Sequence, residues 1–329
     1  MTGTEYWHRY YDEETLAFCE RFRQSAEIQS TGVRIHLDVY ANPNAQAPVV
    51  IVNHGGAGYS RMLITGAMLL HQRGYTVVLP DQRGQGLSGG NRGDYTIEES
   101  AQNIADACRW AKSKFQNDVF LVGASVGGGL AYYAAAAGAP AAAVACLNLF
   151  DFGNGIDGFE ISRMPWLLRF PRICHIARAA LSRLDRVHRV QIPFHWIGAF
   201  DHLMDERDAQ FQSYWQSDPI PPRWVSLRLL TSNLNTAPAI AFEDNRIPVL
   251  VINQARDKMV APAVTHRNYE RLGAPKRYVE IPFGHWSNQI EFWEMVVNNC
   301  DDWFREVLSR RDLEAASNPD TSLAEPKPG

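Results

Sequence analysis

Short apolar runs alternate with amphipathic stretches along most of the chain, and this alternation predicts strands separated by helices. Strands are predicted at residues 49–52, 75–79, 119–122, 141–150, 248–252 and 278–281. Runs that are apolar at consecutive positions are typical of parallel strands with both faces buried. Because parallel strands are joined by crossover helices, the order predicts an α/β fold with a mostly parallel, doubly wound sheet.

Two further patterns refine this picture. Apolar and polar side chains alternate over Val33–Tyr40, which predicts a half-buried, antiparallel strand. Thr96 and Glu99 have the spacing of a capping box ahead of an apolar helical face, so a helix is predicted to begin there. Later helices are predicted at residues 264–272 and 288–308.

One long segment interrupts the alternation of strands and helices, and segments of a different character precede and follow it. Residues 151–246 are helical, aromatic and broken by prolines, which predicts a helical cap inserted between two parts of the core, 31–150 and 247–310. Residues 1–30 predict an N-terminal helical extension. The polar residues 311–329 predict a disordered tail.

The N-terminal extension carries aromatic side chains among charged ones at helical spacing. They are Trp7, Tyr10, Tyr11, Phe18 and Phe22. The spacing favours one amphipathic helix, or two short ones, packed on the main body. The alternative is that these rings form a contact between two copies of the chain in a homodimer.

The apolar residues of the predicted cap also allow two interpretations. They pack the cap helices together and onto the core, or a subset of them lines an acyl pocket or presents an apolar face to lipid. That subset is Met164, Trp166, Leu167, Leu168 and Phe170. The second interpretation predicts peripheral membrane contact through the cap.

Charge and composition exclude several classes of protein. A formal charge of −4 offers no basic surface for nucleic acid. The five cysteines are scattered without C-x-x-C spacing, which argues against a zinc site and against a secreted disulfide framework. The amino end has no pattern of a cleaved leader, and no apolar run is long enough to span a bilayer. We therefore expect a soluble, cytoplasmic protein without a bound metal ion.

One candidate nucleophile stands at a strand-to-helix junction. Residues 123–127 read G-A-S-V-G, directly after an apolar run and directly before an alanine-rich segment. A chain this long contains G-x-S-x-G by chance roughly one time in ten, so the position of the motif carries the argument. A serine on such a sharp turn projects its hydroxyl from the sheet edge, and the first free N–H groups of the next helix point at any oxygen that approaches it.

Other reactive groups follow neighbouring predicted strands. A glycine loop begins after Val52, Asp257 lies beyond Ile252, and His285 lies beyond Ile281. Carboxyl ends of parallel strands meet at one edge of a sheet. A serine hydroxyl needs an imidazole to accept its proton, and the imidazole works best when a carboxylate orients it. Along the chain, the candidate nucleophile, carboxylate and base therefore occur in the order Ser125, Asp257, His285.

With these motifs in place, the chain resembles the α/β-hydrolases, and within them the cap-bearing serine hydrolases similar to monoacylglycerol lipases and lysophospholipases (serine aminopeptidase S33 type). The matching pieces are H-G-G at 54–56, D-Q-R-G-Q-G-L-S at 81–88, G-A-S-V-G at 123–127, D-K-M-V-A-P at 257–262 and G-H at 284–285. The resemblance implies that Ser125 is the nucleophile, His285 the general base and acid, and Asp257 the orienting carboxylate. It also implies an oxyanion hole formed by the backbone N–H groups of Gly56 and Val126.

Several residues compete for these roles. His54, before the glycine loop, is a second candidate base, although its position favours bracing the loop. Asp201 and Asp205 resemble an acid loop but lie in the predicted cap, and Asp151 follows another predicted strand. Gly84, Gly86 and Gly89 form a nominal G-x-G-x-x-G dinucleotide pattern; no helix begins at it, so we expect neither a flavin nor a nicotinamide cofactor.

The resemblance implies cleavage of a carboxylic ester of a small-molecule or lipid-like acyl substrate through an acyl-enzyme. The same groups would suit an amide or peptide, a lactone, or a C–C bond beside a ketone. A non-catalytic binding protein that retains the fold is the alternative of another class.

Overall fold

The computed structural model describes residues 4–187 and 190–317. Its strands are β1 (Arg23–Ser30), β2 (Val33–Tyr40), β3 (Val49–Asn53), β4 (Thr76–Pro80), β5 (Val119–Ala124), β6 (Ala143–Leu147), β7 (Gln191–Pro193), β8 (Trp224–Ser226), β9 (Val249–Gln254) and β10 (Lys276–Ile281). Eight of them form one sheet in the order β1-β2-β4-β3-β5-β6-β9-β10, while β7 and β8 pair separately. Within the eight-stranded sheet, β2 is antiparallel to both neighbours and the other pairs are parallel, whereas β7 and β8 are antiparallel.

Helices cover both faces of the sheet. They are α1 (Glu13–Phe22), α2 (Ile64–Gln72), α3 (Ile97–Phe115), α4 (Val126–Ala136), α5 (Asp157–Glu160), α6 (Pro171–Val187), α7 (Ala209–Ser217), α8 (Leu227–Asn235), α9 (Pro262–Arg271) and α10 (Ile290–Ser317). Val50 and Val52 of β3 pack in the layer that contains α2 and α10, and Val49 and Ile51 pack in the layer that contains α3 and α4. The predicted doubly wound α/β fold is confirmed.

The register of the central strands brings their carboxyl ends to one edge. Asn53, at the end of β3, lies opposite Gly123 of β5. Leu147, at the end of β6, lies opposite Ala124 on one side and Ile252 on the other. The loops that follow β3, β5, β6 and β9 therefore start side by side, at the edge where the sequence predicts the reactive groups.

The start of α3 follows its sequence signal. The Thr96 side chain accepts from the Glu99 N–H, and the Glu99 carboxylate accepts from the Thr96 N–H. This reciprocal pair satisfies donors that the first turn of a helix leaves without intrahelical partners. The predicted capping box is confirmed.

The predicted N-terminal helical extension is only partly correct. A 3-10 helix (Thr4–Arg9) and α1 are present, but the chain then continues as β1, which pairs antiparallel with β2 along its whole length. Trp7, Tyr10 and Tyr11 are buried within the same chain. These rings accordingly pack on the main body and do not offer a surface to a second copy.

The prediction of a half-buried β2 is wrong for most of its length. Every residue from Ile35 to Tyr40 is buried, including the polar His36 and Asp38. Asp38 accepts from Arg61 Nε at 2.9 Å, and its other oxygen lies 3.0 Å from His36 Nε2. Because His36 and Asp38 have these hydrogen-bonding partners, they can be buried on the face of the sheet that α1 and the neighbouring loop cover.

Residues 148–248, between β6 and β9, form what we call the inserted segment. It contains α5 to α8, several 3-10 helices and the β7–β8 pair, which the sequence did not predict. Its exposed large apolar side chains include Met164, Trp166, Phe170, Ile173 and Ile176, which lie close together along the chain. Contact of this face with lipid stays a prediction. Among the described residues, no helix combines the length and apolar character needed to cross a membrane.

The predicted disordered tail begins too early. α10 continues through Ser317, so residues 311–317 are helical, with Arg311 paired to Asp118. The remainder of that predicted tail, residues 318–329, lies outside the described residues.

Candidate active site

Ser125 occupies the junction of β5 and α4 in a backbone conformation with φ of 56° and ψ of −130°. L-residues rarely adopt this conformation, which requires close packing of the neighbouring backbone. A Cβ on Gly123 would lie 1.9 Å from the Gly127 carbonyl oxygen, and one on Gly127 would lie 2.5 Å from the His54 carbonyl oxygen. The two glycines of the motif are therefore required by backbone contacts on either side of the serine.

The structure brings Ser125, His285 and Asp257 together. His285 Nε2 lies 2.9 Å from Ser125 Oγ, and His285 Nδ1 lies 2.7 Å from Asp257 Oδ2. The side chains of His285 and Asp257 are almost completely buried. An imidazole that donates its Nδ1–H to a carboxylate has Nε2 available to accept the serine proton.

The Asp257 carboxylate is fixed from the opposite side. Its Oδ1 accepts from the backbone N–H groups of Met259 and Val260, at 2.8 and 2.7 Å. Asn148 Nδ2 lies 3.4 Å from Oδ2. Sequence reasoning missed Asn148, although it stands directly after β6, where the same strand-end argument applies.

The three competing carboxylates have other partners. Asp151 pairs with Arg271 at 2.7 Å, and Asp201 pairs with Arg163. Asp205 accepts from the Gly284 N–H at 2.6 Å rather than from an imidazole. The geometry therefore favours Asp257 as the partner of His285.

His54 uses one ring nitrogen inside its own loop and the other on the loop after β4. Nδ1 lies 2.9 Å from the Gly55 carbonyl oxygen, and Nε2 accepts from the Gln82 N–H at 3.3 Å. Burial lowers the pKa of His54, against a smaller opposing effect of the Asp81 charge. A neutral imidazole with both nitrogens engaged braces the glycine loop and has no atom left to accept a proton from Ser125.

The backbone groups predicted to hold an oxyanion lie beside the serine. Val126 is the first residue of α4, so its N–H has no intrahelical partner. A Cβ on Gly55 would lie 2.9 Å from Ser125 Cβ, and one on Gly56 would lie 3.8 Å from Val126 Cγ2. The glycine loop thus approaches the serine closely, and Gly56 and Val126 line the same cavity as Ser125.

An apolar cavity of about 110 Å³ opens onto Ser125 and His285. The inserted segment contributes much of its wall, including Ile161, Phe194, Ile197, Phe200, Leu203 and Trp215. The residues predicted to line an acyl pocket do not line this cavity. Trp166 and Phe170 are exposed, while Leu167 and Leu168 pack against Phe159 and its neighbours.

A second, polar cavity of about 730 Å³ reaches His285 from another side. Charged side chains of the inserted segment and of the loop after β9 line it, among them Arg207, Arg256 and Lys258. Met204 and His285 line both cavities. The apolar cavity and the polar cavity therefore meet at the imidazole of His285.

The loop with the nominal dinucleotide pattern encloses the side-chain carboxylate of Asp81. Asp81 Oδ2 accepts from the Leu87 N–H at 2.7 Å, and Oδ1 accepts from the Ser60 N–H at 2.6 Å. A Cβ on Gly86 would lie 2.1 Å from the Asp81 carboxyl carbon. Gly86 accommodates this carboxylate, whereas a Cβ on Gly84 or Gly89 would meet the backbone carbonyl oxygen of Asn91 or Arg34. Within residues 4–187 and 190–317, no group of three or more His, Cys, Asp or Glu side chains is placed to hold a metal ion.

Known structures share this architecture. A highly thermostable carboxyl esterase from Bacillus coagulans is 16% identical, with a TM-score of 0.66 over 87% of this chain and 99% of that one. A monoacylglycerol lipase from Paleococcus ferrophilus is 20% identical, with a TM-score of 0.63 over 82% and 99%. A soluble variant of monoglyceride lipase from Saccharomyces cerevisiae is 14% identical, with a TM-score of 0.65 over 87% and 96%. At these identities the similarity establishes the fold.

At the level of sequence, no curated protein matches the chain. Residues 44–285 match the Hydrolase_4 family, described as serine aminopeptidase, S33. The match covers well over half of the chain and contains every motif that carries the resemblance. The resemblance is thus confirmed, and the chain belongs to the Hydrolase_4 (serine aminopeptidase, S33) family of α/β-hydrolases.

Proposed function

We propose that the protein is a serine hydrolase that cleaves a carboxylic ester through an acyl-enzyme. The hydrogen-bonded series from Ser125 through His285 to Asp257 carries the proposal. Its two distances, 2.9 and 2.7 Å, suit transfer of the serine proton to an imidazole whose tautomer is fixed by a carboxylate.

In the first half-reaction Ser125 Oγ attacks the ester carbonyl while His285 Nε2 accepts its proton. The developing negative charge on the carbonyl oxygen is held by the N–H groups of Gly56 and Val126. His285 then returns the proton to the leaving alcohol, which leaves the acyl group on Ser125. In the second half-reaction water attacks this acyl group, and the same imidazole accepts and then returns a proton.

The two cavities favour an ester with an apolar acyl group and a polar alcohol. The apolar cavity begins at Ser125 and suits the acyl chain. The polar cavity reaches His285, which must protonate the leaving group, and it offers a path for the alcohol and for water. Two of the structural neighbours are named as lipases and one as a carboxyl esterase, which agrees with this substrate class.

An aminopeptidase, the activity in the family's description, is less well supported. Such an enzyme needs negative charge to hold the amino group of its substrate. The carboxylates that line the polar cavity are already engaged: Asp201 with Arg163, Asp205 with Arg207, Glu206 with Lys258 and Asp257 with His285. Amides, lactones and ketone-activated C–C bonds remain outcomes of the substrate test.

The first experiment is labelling with a fluorophosphonate probe, which reacts with an activated serine. We expect the wild type to be labelled and Ser125→Ala to be unlabelled. Ser162→Ala is the matched control, because Ser162 lines the same cavity but its hydroxyl donates to the Phe159 carbonyl oxygen; it should label like the wild type. An unlabelled wild type, or equal labelling of Ser125→Ala, contradicts the proposal.

The second experiment is a substrate panel of nitrophenyl esters, aminoacyl nitroanilides and lactones. We expect hydrolysis of the esters that disappears in Ser125→Ala. Hydrolysis of the nitroanilides in preference to the esters would reassign the enzyme to the peptidases.

A further inference from the structure

The loop that carries His285 is held by the inserted segment. This loop connects β10 to α10 over residues 282–289. Asp205 contacts the two residues that flank the histidine: its Oδ2 accepts from the Gly284 N–H at 2.6 Å, and its own N–H donates to the Trp286 carbonyl oxygen at 2.6 Å. One residue of the inserted segment therefore fixes the backbone on both sides of the candidate base.

The Asp205 carboxylate is buried and fully engaged. Oδ1 accepts from the N–H and Nε of Arg207, at 3.1 and 2.8 Å, and Oδ2 accepts from the Gly284 N–H. Burial by itself would raise the pKa of Asp205, but hydrogen bonds from Arg207 and Gly284 outweigh it and lower the pKa to about 2. The group stays ionised through the working pH range, so its bond to Gly284 is a charge-assisted one.

The fit between the two segments is close. A Cβ on Gly284 would lie 3.0 Å from Asp205 Cα and 3.3 Å from its Oδ2. One turn further on, Asp208 accepts from the Ser287 hydroxyl and from the Asn288 N–H. Asp205, which precedes the 3-10 helix Glu206–Asp208, and Asp208, which ends it, thus both bind the loop that carries His285.

We propose that Asp205 is the positioning residue for His285, and that it couples the placement of the inserted segment to the alignment of the imidazole with Ser125. The inference rests on the proposed function. A loop between two elements has many accessible conformations, and a displacement of about 1 Å in a reacting group can lower the rate about 100-fold. Bonds to both neighbours of His285 remove that freedom.

The test compares Asp205→Asn and Asp205→Ala with the wild type on a nitrophenyl ester. Asp118→Asn is the matched control: Asp118 is also paired with an arginine, Arg311, but it precedes β5 at the opposite edge of the sheet. We expect kcat to fall roughly 10-fold in Asp205→Asn and roughly 100-fold in Asp205→Ala, with KM within about 3-fold of wild type. Asp118→Asn should retain the wild-type kcat.

Two readouts separate positioning from general stabilisation. Rates are expressed per active site titrated with the fluorophosphonate, so loss of folded protein does not lower them. The rate constant of fluorophosphonate inactivation should fall in parallel with kcat, because both steps need His285 aligned with Ser125. Wild-type values of kcat and of the inactivation rate constant in both Asp205 variants, whatever their melting temperatures, would overturn the inference.

Gly284→Ala tests the same contact from the other side if an Asp205 variant does not fold. The added methyl group forces Asp205 and Gly284 apart, so kcat per active site should again fall while KM stays near that of wild type. An unchanged kcat in this variant would also overturn the inference. The proposed function fails in a distinguishable way, because the wild type itself would then show no Ser125-dependent ester hydrolysis.

Discussion

Ser125 is held in a rare backbone conformation by glycines at the surrounding positions. Such a conformation costs about 1–3 kcal/mol and persists only when the surroundings impose it. The motif predicts the need for Gly123 and Gly127. It does not predict that a Cβ on Gly128 would lie 2.2 Å from the Asn148 carbonyl oxygen, because that contact depends on how the loop after β6 folds back. The local pattern thus indicates the candidate nucleophile, and tertiary packing fixes its conformation.

A pH-dependent stability is expected from His54. Burial lowers the pKa of His54 in the folded chain, whereas an unfolded histidine has a pKa of about 6.5. As pH falls below about 6.5, the unfolded chain binds a proton that the folded chain does not, so the free energy of unfolding decreases. Above that pH both states are neutral at this site and its contribution is constant.

Urea unfolding of the wild type and of His54→Gln between pH 7.5 and 5 measures this effect. A glutamine keeps an acceptor for the Gln82 N–H but does not titrate. We expect the stability of the wild type to fall more steeply with decreasing pH than that of the variant. Asp205, with its pKa lowered to about 2, titrates well below this window. Parallel pH profiles would show that His54 is not the titrating group.

Elements whose burial follows a regular period are predictable, and those whose burial does not are missed. α3 shows an apolar face and a capping box, and its start at Ile97 follows from them. α2 has almost all of its residues buried, so it lacks the polar face that an amphipathic pattern requires. β1 is a polar edge strand with few apolar residues, and the three-residue β7 and β8 are too short to show a period.

The contact of Tyr10, which directly follows the N-terminal 3-10 helix, with the inserted segment is another feature that the sequence cannot show. The Tyr10 hydroxyl donates to Asp218 Oδ2 at 2.8 Å, across 208 positions of the chain, and the Tyr59 hydroxyl donates to the same oxygen at 2.8 Å. The Tyr10 ring also packs edge-on against Phe211 of α7. These contacts tie the turn between the 3-10 helix and α1 to the wall of the apolar cavity, because the next turn of α7 contributes Trp215 to that wall.

Tyr10→Phe tests the energetic weight of this contact. The substitution keeps the ring but removes a hydroxyl from a buried carboxylate, which should lower the free energy of unfolding by about 1.5–3 kcal/mol. Tyr214→Phe is the control in the same cluster, because its hydroxyl pairs with the exposed Gln210 and its loss should cost less than about 0.5 kcal/mol. Urea unfolding measures both. Equal stabilities of the two variants would show that the Tyr10 hydroxyl contributes little.

Across the whole molecule, the register of the sheet explains why so much of the candidate site was predictable. Ser125 and His285 are 160 positions apart, yet each follows a parallel strand, and parallel strands end at one edge. The apolar cavity follows no such rule. Phe194 and Leu203 contribute to the wall of this cavity from irregular or 3-10 parts of the inserted segment. The path of these parts depends on tertiary contacts.

For the proposed ester hydrolysis, the size of the apolar cavity predicts which acyl chains are preferred. Its volume of about 110 Å³ is below the roughly 150 Å³ of an apolar cavity known to hold one benzene molecule. We expect kcat/KM to be highest for butanoyl and hexanoyl nitrophenyl esters and to fall for dodecanoyl and hexadecanoyl esters. Leu203→Ala removes part of the wall and should move the optimum to a longer chain. Leu234→Ala removes the same atoms from a buried site outside the cavity and should leave the optimum in place. A steady rise of kcat/KM up to hexadecanoyl would instead mean that the inserted segment moves aside during turnover, since the cavity as it stands cannot enclose such a chain.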